Sequence, residues 1–399
     1  MDKYKDIRPY LDDEIRPVLD ELIKNPEFLT TIAQFYFPRL TRMMPSAMRF
    51  AAELKLKGQL KGVHNISSMQ DVIAQYMDKM IEDTTTALTH SGLENLQEGR
   101  NYLFISNHRD IVMDPAFVNY MLYHANHETL QIAIGDNLLK KPFVSDLMRL
   151  NKSFIVQRSL KGRELLTSLK LMSEYIHHSV ANGQNVWIAQ SEGRAKDGID
   201  KTDPTLLKML AMGNREVSLG KSLKNLHIIP VSISYEYDPC DLLKAQELYQ
   251  IEKTGSFEKD ESTDINSIVT GMIGFKGAVH VAFGREFNIA DDEPEHIAAD
   301  IDVQILENYA LSDSNYLAIS RLKQDGLLPS NPLKPGFDTH EVSPTSRAFF
   351  NERLSQVEPS LVRTWLYSYA NPVIGRYKIE QGVDEQLDQT LDSCSQPVR

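Results

Sequence analysis

The sequence predicts an α/β fold, a mostly parallel sheet flanked by helices, with helical N-terminal and C-terminal regions. Two observations carry this prediction. Between about residues 100 and 290, short apolar runs alternate with stretches of helical periodicity, the pattern of strands joined by crossover helices. Before about residue 92 and after about residue 290, helical periodicity prevails. The resulting boundaries are a helical region over 1–94, an α/β domain over 95–290, and a helical region over 291–399 ending in a polar tail. With 42% hydrophobic and 25% charged residues among 399, the composition is that of an ordinary folded protein.

In the N-terminal region Ile15, Val18, Leu19 and Leu22 share one helical face, and Val72, Ile73, Tyr76 and Met80 share another. Residues 10–92 are expected to be helical throughout, with Ser68, three residues before Asp71, as a helix start. The first strand is expected over 102–105, followed by a polar loop and a helix opening at Pro115. Further strands are expected over 130–134, 154–156, 186–189, 228–235 and 279–283, with a long helix over 163–180. Polar residues 254–266 read as a surface loop, and a proline-rich stretch over 327–337 interrupts the C-terminal helices.

The bulk numbers exclude several function classes. A net charge of -12 argues against a nucleic-acid protein, because phosphate binding depends on clustered Lys and Arg. Two cysteines, Cys240 and Cys394, are too few for a disulfide scaffold and point to a reducing, cytoplasmic setting. The acidic N-terminus is unlike an export signal. No metal set is expected: the pairs His124/His127 and His177/His178 lack a completing ligand and read as surface residues. No apolar run approaches the roughly 18 residues of a membrane span, so any membrane contact is expected to be peripheral. One segment suits such contact. Arg39, Arg42, Arg49, Lys55, Lys57 and Lys61 are interleaved with Phe35, Phe37, Met43, Met44, Met48, Phe50 and Leu54, and basic and apolar residues so mixed fit an anionic bilayer surface. The alternative is a helix packed on its own domain with a solvated basic face.

The chemistry is expected in Asn107-His108-Arg109-Asp110-Ile111-Val112-Met113-Asp114-Pro115, just past the first strand. A histidine there, with a carboxylate a few residues on, makes a base-and-orienter pair. The imidazole takes a proton from an attacking hydroxyl, and the carboxylate holds the other ring N–H. Asp114 and Asp110 are both candidates for that carboxylate. Asp114 before Pro115 also reads as a plain helix N-cap.

Three later segments add to the loop: Ser153-Phe154-Ile155-Val156-Gln157-Arg158, Ala189-Gln190-Ser191-Glu192-Gly193-Arg194, and Ile228-Ile229-Pro230-Val231. Together, over about residues 95–290, they resemble the glycerophospholipid acyltransferase superfamily. Its first motif is an asparagine, a histidine, four residues and an aspartate, often followed by proline. Here five residues separate His108 from Asp114, read as a one-residue insertion. The resemblance implies that Arg158 binds the acceptor's phosphate and that Glu192, Gly193 and Arg194 help to hold the acceptor. A guanidinium suits that role because its paired N–H donors match a phosphate. In the third motif Ser191 replaces the usual proline, and Arg194 follows Gly193 directly.

What this resemblance implies is direct transfer of a fatty acyl group to the hydroxyl of a glycerol-phosphate or lysophospholipid acceptor in phospholipid biosynthesis. Acyl-CoA or acyl carrier protein would be the thioester substrate, with no metal or tightly bound cofactor. The expected setting is cytoplasmic, peripheral on the inner face of a membrane. The alternatives are an α/β-hydrolase using Ser191 as nucleophile, with His227 or His280 as base, and a lipid-binding protein without catalysis.

Overall fold

The computed structural model describes residues 2–260, 263–328 and 340–381, so Cys394, the polar tail and most of the proline-rich stretch lie outside the described residues. Strands Thr85–Ser91 (β1), Leu103–Ser106 (β2), Leu130–Gly135 (β3), Ser153–Val156 (β4), Asn185–Ala189 (β5), Ile228–Tyr235 (β6) and Gly277–Phe283 (β7) form one sheet. Its order is β1-β7-β6-β2-β5-β3-β4. All neighbours are parallel except β6 and β7. The expected α/β class and mostly parallel sheet are therefore observed.

Both faces of the central strands are covered, which is why they read as unbroken apolar runs. Leu103, Ile105, Val186, Ile188 and Ile228 point to one side. Phe104, Trp187, Ile229, Val231 and Ile233 point to the other. The alternation follows from the two-residue period of a strand.

Helices α1 (Asp12–Leu22), α2 (Pro26–Tyr36), α3 (Pro38–Met43), α4 (Pro45–Gln59) and α5 (Ile66–Thr84) precede the sheet. Between the strands lie α6 (Met113–His124), α7 (Pro142–Leu150), α8 (Gly162–Ala181), α9 (Pro204–Leu210), α10 (Leu219–Lys224), α11 (Asp241–Thr254) and α12 (Thr263–Ile273). After β7 come α13 (Pro294–Asn308), α14 (Asp313–Gln324), α15 (Pro344–Ser355) and α16 (Val362–Gln381). The N-terminal helices share an apolar cluster with Phe143 and Leu150 of α7. The last three share one with Tyr237 and Ala245.

Several expectations need correction. Residues 85–91 are strand β1, not helix. As an edge strand with largely exposed side chains, β1 needs no apolar run, and its sequence, TTALTHS, carries none. Helix α5 starts at Ile66, and Asn65 is its cap, accepting from Ser68 N at 2.9 Å while Ser68 Oγ accepts from Asn65 N at 3.2 Å. Helix α6 opens at Met113, so Asp114 lies inside its first turn and Pro115 is not the first residue. His177 is half-buried and donates through Nε2 to Leu210 O at 3.0 Å.

Candidate active site

Parallel pairing brings four strand ends together. Ser106 at the end of β2 is in register with Ala189 of β5 and Val231 of β6, and Gly135 at the end of β3 is in register with Val156 of β4. Loops leaving these ends gather on one edge of the sheet, the usual place for a site in such folds. Here they deliver His108, Asp136, Arg158 and Glu192 to one cavity of about 650 Å³.

The loop after β2 is held from several directions. Asn107 accepts from Ile233 N at 2.8 Å and donates to Ile233 O at 3.0 Å, so its amide pairs with β6 as another strand residue would. His108 O accepts from Ala195 N at 2.8 Å, and Arg109 O accepts from Lys244 Nζ at 2.6 Å. Arg109 is buried, and its guanidinium donates to Asp200 Oδ2 at 2.6 Å and to Gly198 O at 3.1 Å. These contacts fix the main chain on both sides of the imidazole.

His108 Nδ1 lies 2.9 Å from Asp114 Oδ2. With the N–H on Nδ1, the lone pair is on Nε2, the tautomer a general base requires. Trp187 packs against the ring in a T-shaped contact with centroids 5.8 Å apart. Asp114 is fully buried, and the same Oδ2 accepts from Arg109 N at 2.6 Å and Asp110 N at 2.9 Å. The five residues after His108 thus wrap back over the carboxylate, which is how the longer spacing is accommodated.

Asp110 braces the chain entering α6, whose N-cap position is Val112. Its Oδ1 accepts from Val112 N at 3.0 Å and Met113 N at 2.9 Å. Burial, and next the charge of Asp114, push its carboxyl above the ordinary carboxylate value. Asp114, not Asp110, is therefore the carboxylate hydrogen-bonded to His108.

Arg158 and Glu192 face each other across the cavity mouth, Nη1 to Oε1 at 3.6 Å, both solvent-exposed. Asp136, at the end of β3, accepts from Arg158 N at 3.1 Å and from Ser159 N at 3.2 Å, bracing the loop that carries the arginine. Gly135 leaves room for it, since a Cβ there would lie 3.3 Å from Arg158 Cδ. Gly193 has φ +81°, a backbone conformation that favours glycine, and sets the turn after Glu192. Arg194 also lines the cavity. Its Nη2 donates to Ser267 Oγ of α12 at 3.3 Å, while its Nη1 is buried with no protein partner among the described residues. A buried guanidinium N–H without a protein acceptor is a donor suited to an anionic group. Lys161 and Arg163, the next cations in the sequence, are not among the cavity's lining residues.

Away from the charged mouth the cavity becomes apolar, lined by Ile132, Leu165, Leu169, Met172, Leu206 and Met209. Ser191 also lines it, but the histidines expected to serve it are engaged elsewhere. His227 Nδ1 is 2.9 Å from Glu286 Oε1, and His280 bonds Thr89 and Ser91 of β1. One supporting residue escaped the sequence: Tyr235, whose hydroxyl donates to Asp114 Oδ1 at 2.7 Å. Tyr235 closes an apolar strand, and only its place at a strand end hinted at a role.

Fold and site together define an α/β protein with a histidine–carboxylate pair at a parallel strand end, beside a cationic mouth and an apolar interior. Residues 87–234, which contain the pair and both cavity-mouth arginines, match the family model for Acyltransferase. The glycerol-3-phosphate acyltransferase of Pseudomonas syringae pv. syringae is 26% identical over 266 residues, 65% of this chain and 30% of that protein. The one from Pseudomonas fluorescens strain SBW25 is 28% identical over 222 residues, 55% of this chain and 25% of that protein. The chain thus spans under a third of the length of these curated relatives. Among solved structures, the 1-acyl-sn-glycerophosphate (LPA) acyltransferase PlsC from Thermotoga maritima aligns over 71% of this chain and 97% of its own, with 15% identity and a TM-score of 0.40. Residues 87–234 of this chain are thus similar to the acyltransferase family, and the aligned segment to these glycerol-3-phosphate acyltransferases.

Proposed function

We propose that this chain transfers a fatty acyl group from a thioester, carried by coenzyme A or acyl carrier protein, to the hydroxyl of a phosphorylated glycerol acceptor. The observation that carries the reading is the His108–Asp114 pair at 2.9 Å in the same cavity as Arg158 and Arg194. His108 Nε2 takes the proton of the acceptor hydroxyl as its oxygen attacks the thioester carbonyl. The tetrahedral adduct collapses, the carbon–sulfur bond breaks, and the imidazolium returns the proton to the departing thiolate. Arg158 and Arg194 supply the cationic groups for the phosphate, with Glu192 and Gly193 shaping the mouth. The apolar interior suits the acyl chain. The chemistry calls for no metal or bound cofactor.

Glycerol-phosphate is the favoured acceptor over a lysophospholipid, because the named relatives are glycerol-3-phosphate acyltransferases. Membrane attachment from the cytoplasmic side, for a role in phospholipid biosynthesis, is part of the same reading. No helix among the described residues is long and apolar enough to cross a membrane. The surface of α3 and α4 supports peripheral contact: Met43 is 77% and Phe50 61% exposed, beside exposed Arg39, Arg42, Lys55 and Lys57.

The test is acyl transfer by purified protein against glycerol-3-phosphate and lysophosphatidate, each with coenzyme A and carrier-protein thioesters. Product from the wild type, and turnover lower by roughly 10²–10⁴-fold in His108→Ala, is the expected result. Wild-type protein inert toward every pair would overturn the proposal. Loss of activity in Ser191→Ala, with His108→Ala active, would favour the hydrolase instead.

A further inference from the structure

We infer that Tyr235 is a positioning residue of this site, fixing through one hydrogen bond the carboxylate that orients the base. The inference rests on the acyl-transfer reading, and the geometry behind it is local. Oδ2 of Asp114 accepts three donors, from His108 Nδ1, Arg109 N and Asp110 N. To Oδ1, the described residues supply one donor, the Tyr235 hydroxyl at 2.7 Å. Asp114 is fully buried and Tyr235 is 5% exposed, so water does not readily replace that bond.

The strand explains how the hydroxyl arrives there. Every residue of β6 is buried, and Ile229, Val231, Ile233 and Tyr235 lie on the face that packs toward α6. The Tyr235 ring packs on Phe117 of α6 with centroids 6.0 Å apart. Packing alone would be served by phenylalanine, and a buried hydroxyl carries a desolvation cost unless it is bonded. Here the bond joins a rigid strand to the first turn of α6, where Asp114 sits. It locks the plane of the carboxylate and so the ring it holds. Burial and the Asp114 charge push the phenol well above its ordinary value, so it stays a donor throughout the working pH range. The other charged or titratable groups facing the pair are Asp110 and Arg109 of the same loop, Asp238 beyond β6, Lys244 of α11 and Tyr309 beyond α13. Tyr235→Phe leaves all of them unchanged.

The experiment compares wild type, Tyr235→Phe, and protein carrying 3-fluorotyrosine at position 235. Each is read by steady-state kinetics and by the proton chemical shift of the His108 Nδ1–H. Tyr235→Phe is expected to lower kcat on the order of 10-fold, with KM for donor and acceptor within about twofold, the pattern of a lost transition-state arrangement. The His108 Nδ1–H resonance is expected to move downfield, because the carboxylate's charge is then less shared. Fluorotyrosine keeps the shape and is a stronger donor, so it moves the resonance upfield. It also serves if the phenylalanine variant does not fold. In an Asp114→Asn background, Tyr235→Phe is expected to add less than about twofold. An unchanged His108 Nδ1–H resonance, or a full additional loss in the Asp114→Asn background, would overturn the inference even in an active enzyme. An inactive wild type with shifted His108 resonances would instead overturn the acyl-transfer reading and leave the hydrogen-bond coupling standing.

Discussion

His108 and Asp110 are two residues apart in sequence, yet they do different work. The imidazole is paired to Asp114, while the Asp110 carboxylate is spent on two N–H groups of the first turn of α6. His108→Ala and Asp114→Asn are each expected to lower kcat by roughly 10²–10⁴-fold, the usual contribution of a positioned base and its orienter. Asp110→Asn keeps an acceptor oxygen for those N–H groups and is expected to stay within about fivefold of wild type. Steady-state rates on the three variants check this assignment. An Asp110→Asn loss equal to that of Asp114→Asn would reverse the roles.

A second residue-scale prediction concerns Asp302 of α13. Its Oδ1 accepts from Thr202 N at 2.8 Å and Thr202 Oγ1 at 2.6 Å, and burial pushes the carboxyl up to about 6. The folded value lies above the ordinary value of 3.8, so the native state holds this proton more tightly than the unfolded chain does. Its contribution to stability is present below about pH 4, is lost as pH rises toward 6, and stays lost above. Asp302→Asn keeps both bonds and cannot ionise. It is expected to be more stable than wild type at pH 7 by about 1–3 kcal/mol, with the advantage gone near pH 4. Urea unfolding at the two pH values measures it. A pH-independent difference would mean that the group does not titrate as proposed.

At the scale of elements, α12 closes the site from outside the strand ends. It presents small residues inward: Gly271 packs on Asp110, and Ser267 accepts from Arg194. Its large apolar residues Ile265, Val269 and Ile273 face outward. Gly271→Ala in an open helix would stabilise by about 1 kcal/mol. Here a Cβ would lie 2.0 Å from Asp110 Oδ2, and overpacking of that kind costs about 1–3 kcal/mol. The steric term wins. The variant is expected to melt at lower temperature and turn over more slowly, because the displaced neighbour belongs to the catalytic loop. Thermal unfolding and kcat together test it, and a stabilised, fully active variant would show that α12 does not press on Asp110.

Across the whole molecule, regions distant in sequence hold the site. Gly198, at φ +83°, lies so close to Ser368 O of α16 that a Cβ would meet it at 2.2 Å, and Asn371 donates to Asp197 O at 2.8 Å. The loop that supplies Gly198 O and Asp200 to Arg109 is thus clamped by the last described helix. The opposite end of the chain carries the exposed apolar and basic surface of α3 and α4. Purified protein is expected to bind vesicles containing anionic lipid and to leave neutral ones in solution, with binding weakened by salt. Removing Arg42 or Lys57 is expected to weaken it about fivefold each, since a basic residue near such a surface contributes about 1 kcal/mol. Phe50→Ser is expected to weaken it at any salt concentration. Equal binding to neutral and anionic vesicles would remove the electrostatic part of this picture.

The sequence by itself determined the α/β class and six of the seven strands, because strands buried on both faces must be apolar and short. It also supplied His108 with Asp114 or Asp110 as a base-and-orienter pair past the first strand, while Arg158, Glu192 and Arg194 came from the resemblance of their segments to the acyltransferase motifs. Edge strand β1 escaped it, since a half-exposed strand leaves no apolar signature. Only the tertiary structure decided between Asp114 and Asp110, because spacing along a loop does not say which way the chain turns over a carboxylate. The same holds for Tyr235, Ser267 and Gly198. Their neighbours in space are 121, 73 and 170 residues away in the chain, and such contacts arise from packing between elements rather than from any local pattern.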